Sequence, residues 1–124
     1  MIRRVAIAIA ACQLAGAGML MGMTGQAAVS APKPVLIIDA LPRVCSSTFC
    51  YTPATVSVKV GTTVRWTNAS IAPHTVTGVS GGPASGVLLP TAGYSFTFRQ
   101  TGSFTYFCTI HGFAVMHGTV VVTG

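Results

Sequence analysis

Downstream of residue 30 the apolar and polar residues alternate with a period of two, and no stretch carries the 3.6-residue period of a helix. VSVKV sets Val56, Val58 and Val60 on one face and Ser57 and Lys59 on the other. VRWT turns Val64 and Trp66 inward and Arg65 outward. YSFTF alternates Tyr94, Phe96 and Phe98 with Ser95 and Thr97, and FTYFC alternates Phe104, Tyr106 and Cys108 with Thr105 and Phe107. PVLIIDA reads as an early strand and TVVV as a buried final one. Breakers separate the runs: VGT at 60–62, SGGPASG at 80–86, PTAG at 90–93 and QTG at 100–102. Short strands closed by frequent turns predict an all-β sandwich or barrel whose inner faces supply the core. No internal repeat or second domain interrupts the pattern. A short lead, SAPKP, enters a single domain over residues 35–124.

The first 28 residues follow a different pattern. Arg3 and Arg4 precede a run from Val5 to Met23 that is apolar or small apart from one Gln, and GQAAVSA follows. A positive start, an apolar centre and small residues at the end make a secretory signal peptide. Cleavage after Ala27, Ala28 or Ser30 suits the small-residue stretch. The alternative is retention as a membrane anchor, since the run is just long enough to span a bilayer. The domain is therefore expected outside the cytoplasm, periplasmic or otherwise extracytoplasmic. Membrane contact is expected only if this segment is retained.

Composition narrows the chemistry. Asp39 is the sole acid against seven Lys and Arg, for a net charge of +6. One carboxylate excludes paired-carboxylate hydrolysis and an all-protein calcium cage. The cations Lys33, Arg43, Lys59, Arg65 and Arg99 are scattered, without the stripe of a nucleic-acid binder.

Of the four cysteines, Cys12 falls in the leader. Export implies an oxidising compartment, so three remaining cysteines suggest one pair and one thiol with another task. Cys45 and Cys50 enclose only SSTF and are expected to form a disulfide. A two-thiolate metal site there has no neighbouring histidine to complete it. Cys108 is then left over, and it lies in YFCTIHGFAVMHGTVVV with His111 and Met116. The alternation points Cys108 inward at the end of a strand. GFAV forms a short loop before the sheet resumes, so Cys108, His111 and Met116 converge from one hairpin-like turn. His74, in TNASIAPHTV, is the available fourth ligand, because loops at one end of a sandwich are neighbours in space. Two imidazoles, a thiolate and a thioether suit copper. His₂Cys with a weak axial Met is the general donor set of blue-copper electron-transfer sites.

CTIHGFAVM resembles the C-terminal copper loop of plastocyanin-like cupredoxins, Cys-x-x-His-x-x-x-x-Met. YTPATVSVKVGTTVRWTNASIAPHTV is similar to their stretch up to the first copper histidine, and SGVLLPTAGYSFTFRQTGSFTYFC to the segment leading to the copper cysteine. The likeness covers roughly residues 35 to 123. It implies a Greek-key β-sandwich and one mononuclear copper on His74, Cys108, His111 and Met116. It also implies outer-sphere electron transfer with redox partner proteins, by a monomer that is not an enzyme. His111 is implied to be the ligand nearest solvent, ringed by Ile71, Ala72, Pro73, Gly112, Phe113 and Ala114.

The chain departs from the family in places. An acidic docking patch is absent. Thr75 stands where Asn is frequent, so its hydroxyl, or Asn68, is expected to tie the two ligand loops together. Phe107 stands where Tyr is common. His117 follows Met116 directly, and strand alternation turns it away from the metal as a surface residue. An extracytoplasmic copper chaperone or storage protein is the alternative function. However, Met19, Met21 and Met23 fall in the leader, leaving Met116 and little else for an exchangeable Met-rich site. Multicopper catalysis needs further histidines, and only His117 is spare.

Overall fold

Eight strands run through residues 30–124, which the computed structural model describes. The signal segment expected over residues 1–28 lies outside them. The strands are β1 (Lys33–Asp39), β2 (Phe49–Thr52), β3 (Thr55–Lys59), β4 (Thr63–Asn68), β5 (Thr77–Gly78), β6 (Gly93–Thr97), β7 (Gly102–Phe107) and β8 (His117–Thr123). No helix long and apolar enough to cross a membrane occurs among the described residues.

The strands form two four-stranded sheets, ordered β2-β1-β4-β6 and β3-β8-β7-β5. Chain neighbours β3 and β4, and again β6 and β7, lie in different sheets, so the chain crosses the sandwich repeatedly. Those crossings leave β1 parallel to β4 and β3 parallel to β8, while the other neighbours are antiparallel. The all-β sandwich read from the alternation is therefore present as two mixed sheets.

The inner faces follow the sequence pattern. Val35 and Ile37 of β1, Val56 and Val58 of β3, Val64 and Trp66 of β4, and Val120 and Val122 of β8 are buried, with Arg65 outside. Tyr106 lies at the centre of the core. Its ring meets Tyr51 edge-on at 4.8 Å and Trp66 edge-on at 5.3 Å. Offset and T-shaped pairs of this kind contribute about 0.5–1.5 kcal/mol each beyond the area they bury.

Val60, expected inward, is 44% exposed. β3 ends at Lys59, and Gly61 at φ +88° reverses the chain, so alternation stops one residue before it would have buried Val60. Phe96, expected in the core with Phe98, is only half-buried. The short strands β2 and β5 were not expected. Each has too few residues to show a period. Cys45 and Cys50 form the expected disulfide, and Cys108 is free and buried.

Candidate metal centre

The loop that carries His74 is built by Asn68, the last residue of β4. Its wholly buried amide uses both ends: Oδ1 accepts from the Ser70 amide at 3.0 Å and the Ser70 hydroxyl at 2.8 Å, and Nδ2 donates to the carbonyls of Ala72 at 2.8 Å and Leu88 at 2.9 Å. His74 then pairs with Leu88 through two backbone bonds of 3.1 and 2.7 Å. The Ser70 hydroxyl has two acceptors for its one hydrogen, Asn68 Oδ1 at 2.8 Å and the Ala72 carbonyl at 3.1 Å, which leaves its oxygen to accept from His74 Nε2–H at 2.8 Å. That bond selects the tautomer and leaves the Nδ1 lone pair bare. Burial pushes the His74 pKa down to about 4, and the neighbouring His111 pushes it the same way. His74 is thus held neutral, as a metal ligand must be.

Cys108 follows β7, and its loop closes on itself. The Cys108 amide bonds to the Met116 carbonyl at 3.1 Å, and the Gly112 amide to the Cys108 carbonyl at 2.9 Å. The Met116 amide bonds to the Gly112 carbonyl at 3.1 Å. Gly112 sits at φ +85°, where a side chain is strained, which lets the loop reverse between His111 and Met116. Cys108 Sγ ends 3.8 Å from His74 Nδ1 and 3.4 Å from His111 Nδ1. Donor atoms of all three residues lie within 4.8 Å of one another. Met116, from the same loop, is buried at 1% exposure.

These separations test the fit to a metal. Nitrogen at about 2.0 Å and sulfur at about 2.3 Å from a first-row ion, spread at tetrahedral to trigonal angles, stand about 3.5–3.7 Å apart. The two sulfur–nitrogen distances, 3.8 and 3.4 Å, bracket that range. The cluster contains no carboxylate, so the donors are those that favour copper over calcium or magnesium.

Thr75 joins the two loops, and Asn68 works within its own. Thr75 Oγ1 accepts from the Thr109 amide at 2.9 Å, while the Thr75 amide donates to Cys108 Sγ at 3.4 Å. Tyr51 Oη donates to the Thr75 carbonyl from the core side. Thr75→Val removes the acceptor of the Thr109 amide. The copper-free protein is expected to lose about 1 kcal/mol in urea denaturation.

His117 stands outside the donor cluster. It is exposed, stacked on Phe113 at 4.5 Å, and its Nδ1–H donates to the Phe113 carbonyl at 2.9 Å. His111 is half-exposed. Ile71 (86% exposed), Phe113 (48%), Pro73 and Ala114 are exposed nearby in sequence on the two loops. Two contributors escaped the sequence reading, Ser70 and Phe49. An Asn-x-Ser stretch ahead of a histidine gives a weak hint of the first. Nothing local signals Phe49, whose ring meets both histidines.

Residues 40–123 match the copper-binding plastocyanin/azurin family. The chain belongs to that family of cupredoxins. This cupredoxin is 33% identical to amicyanin from Paracoccus denitrificans, over 92% of each chain. It is 34% identical to chloroplastic plastocyanin from Tetradesmus obliquus, over 62% of this chain and 61% of that one. Among solved structures, a purple cupredoxin from Nitrosopumilus maritimus superposes with a TM-score of 0.61 at 27% identity, covering 73% of this chain and 99% of the other. Amicyanin from Paracoccus versutus superposes at 0.55 with 30% identity, over 76% and 85%. Copper is thus the cofactor of this cupredoxin, and the His-Cys-His cluster with Met116 beside it suits one type 1 ion.

Proposed function

We propose that this cupredoxin carries single electrons between redox proteins through one mononuclear copper held by His74, Cys108, His111 and Met116. The observation that carries the reading is the aim of two imidazole Nδ1 atoms at one buried thiol, with the donor positions held by protein hydrogen bonds. Bound copper supplies the chemistry by cycling between Cu(I) and Cu(II), taking up or releasing one electron.

The residues do the rest. Ser70 holds His74 in one tautomer, and Thr75 holds the Cys108 loop against the His74 loop. The same donors then serve both oxidation states, so little has to move and the barrier to transfer stays low. The Thr75 amide donates to the Cys108 sulfur, a contact of the kind that tunes a thiolate site's potential. Cys108 gives up its proton when the site is loaded. Met116 would supply a thioether as the fourth, soft donor. His111, the half-exposed ligand, offers its ring edge as the electron port. The apolar residues of both loops provide a loose docking rim without an acidic patch.

We read residues 1–28 as an export signal and residues 35–124 as the functional domain, acting outside the cytoplasm as a monomer. Copper hand-over fits less well. Cys108, His74 and Met116 are each at most 1% exposed, which impedes ligand exchange with an acceptor.

One optical and paramagnetic-resonance spectrum of the copper-loaded protein tests the proposal. An intense visible band, bleached by one electron per copper, is expected. A colourless oxidised copper protein would sink it. Met116→Gln replaces a soft sulfur with an oxygen donor that favours Cu(II). Its reduction potential is expected to fall, as read by voltammetry, with copper retained.

A further inference from the structure

Residues 40–48 join β1 to β2 at the end of the sandwich that carries the donor cluster. The Cys45–Cys50 disulfide closes this loop, and the amides of Val44 and Cys45 both bond to the Leu41 carbonyl at 3.0 Å. The loop and its flanks grip both ligand loops. Asp39 Oδ2 accepts from the Ile71 amide at 3.3 Å, on the His74 side. The Ser47 hydroxyl, shared with the Phe49 carbonyl at 2.9 Å, lies 2.6 Å from the Val115 carbonyl, one residue before Met116. Phe49, half-buried between these anchors, packs edge-on against His74 at 4.8 Å and tilted against His111 at 4.5 Å.

The two histidines differ in what holds them. His74 is wholly buried and locked at Nε2 by Ser70. His111 is half-exposed, and among the described residues no protein group bonds its Nε2. It precedes Gly112, which has open space around it: a side-chain carbon added there would meet nothing within 4 Å. A ligating imidazole is ordinarily oriented by a hydrogen bond on its outer nitrogen. For His111 that task falls to packing against the rings of Phe49 and His74, which also touch each other, so the three rings form one cluster.

We propose that Phe49 is the positioning residue for His111: its ring, borne on the disulfide-closed loop, holds the outward imidazole against the donor cluster and bars entry of an external ligand. This rests on the copper-site reading above. Leucine at 49 keeps the apolar bulk but lacks the ring that packs, tilted, against the imidazole. The His111 ring then gains freedom to swing out, and a small ligand gains room to take its place.

The test uses the full chain as Phe49→Leu, Phe49→Ala and Phe49→Tyr. Copper affinity is measured by chelator competition, free imidazole is titrated against the Cu(II) form by optical and paramagnetic-resonance spectra, and the copper-free proteins are melted. Phe49→Leu is expected to weaken copper binding about 10- to 100-fold. It is also expected to show a new spectrum on adding imidazole, while Phe49→Tyr keeps wild-type behaviour in both. Where Phe49→Ala fails to fold, Phe49→Leu decides. A Leu variant with wild-type affinity and no imidazole response overturns the proposal, whatever its melting temperature, because the ring would then serve the core alone. A Tyr variant as impaired as Leu overturns it too. A wild-type chain that takes up no copper overturns the site reading itself, and is distinguished from these outcomes by failing before any variant is compared.

Discussion

Cys108→Ser is expected to erase the intense visible band of the oxidised, copper-treated protein while leaving the fold in place. The band needs a thiolate bonded to Cu(II), and Cys108 is the free cysteine among the described residues. Serine is nearly the same size. Its hydroxyl would meet the Thr75 amide that now points at sulfur, which offsets the cost of burying a polar group there. The copper-free variant should therefore melt close to wild type, within about 1–2 kcal/mol of stability. Visible absorption and calorimetry on the same preparations separate the two effects. A retained band would remove Cys108 from the site, and with it the electron-carrier reading.

Gly118→Val is expected to damage the fold from outside the site. Gly118 is the second residue of β8 and pairs with Tyr106 across the ladder. A carbon added at its Cα would stand 2.6 Å from Tyr106 Cζ and 3.1 Å from the Ala54 carbonyl oxygen. Neither neighbour has room to yield. Tyr106 is wholly buried between Tyr51 and Trp66, and the Ala54 carbonyl already accepts from the Thr119 amide at 2.9 Å. Overpacking of this kind costs about 1–3 kcal/mol, occasionally more, and the two branches of valine favour the upper end. For a domain of this size, that lowers the melting temperature by ~10 °C or more. The displacement would also reach the metal end, because Tyr106 lies two residues before Cys108 and Gly118 two after Met116. Unchanged melting would mean that the two sheets separate locally at little cost, contrary to the tight contact described.

The tie between the ligand loops was only half legible in the sequence. Two candidates stood open, Thr75 and Asn68, because both carry polar groups beside the first histidine. Either choice satisfies the pattern. The choice depends on which way each side chain faces once the loop is folded, and that is decided by the four bonds that turn the Asn68 amide back into its own loop. Thr75 is left facing the Cys108 loop.

What the sequence determined by itself is local. Alternation assigned the inward residues of β3, β4 and β7, since neighbouring side chains on a strand must point to opposite faces. Spacing put Cys108, His111 and Met116 on one loop and Cys45 within reach of Cys50. Alternation has no meaning past the end of a strand, so Val60 was misjudged where Gly61 turns the chain. Only the tertiary structure decided the contacts between distant segments: His74 meeting Cys108 across 34 residues, Ser47 meeting Val115 across 68, and Phe49 meeting both imidazoles. The physical reason is that a period encodes which face of a strand is apolar, but not which other face it will meet. That is settled when the two sheets pack and bring their end loops together.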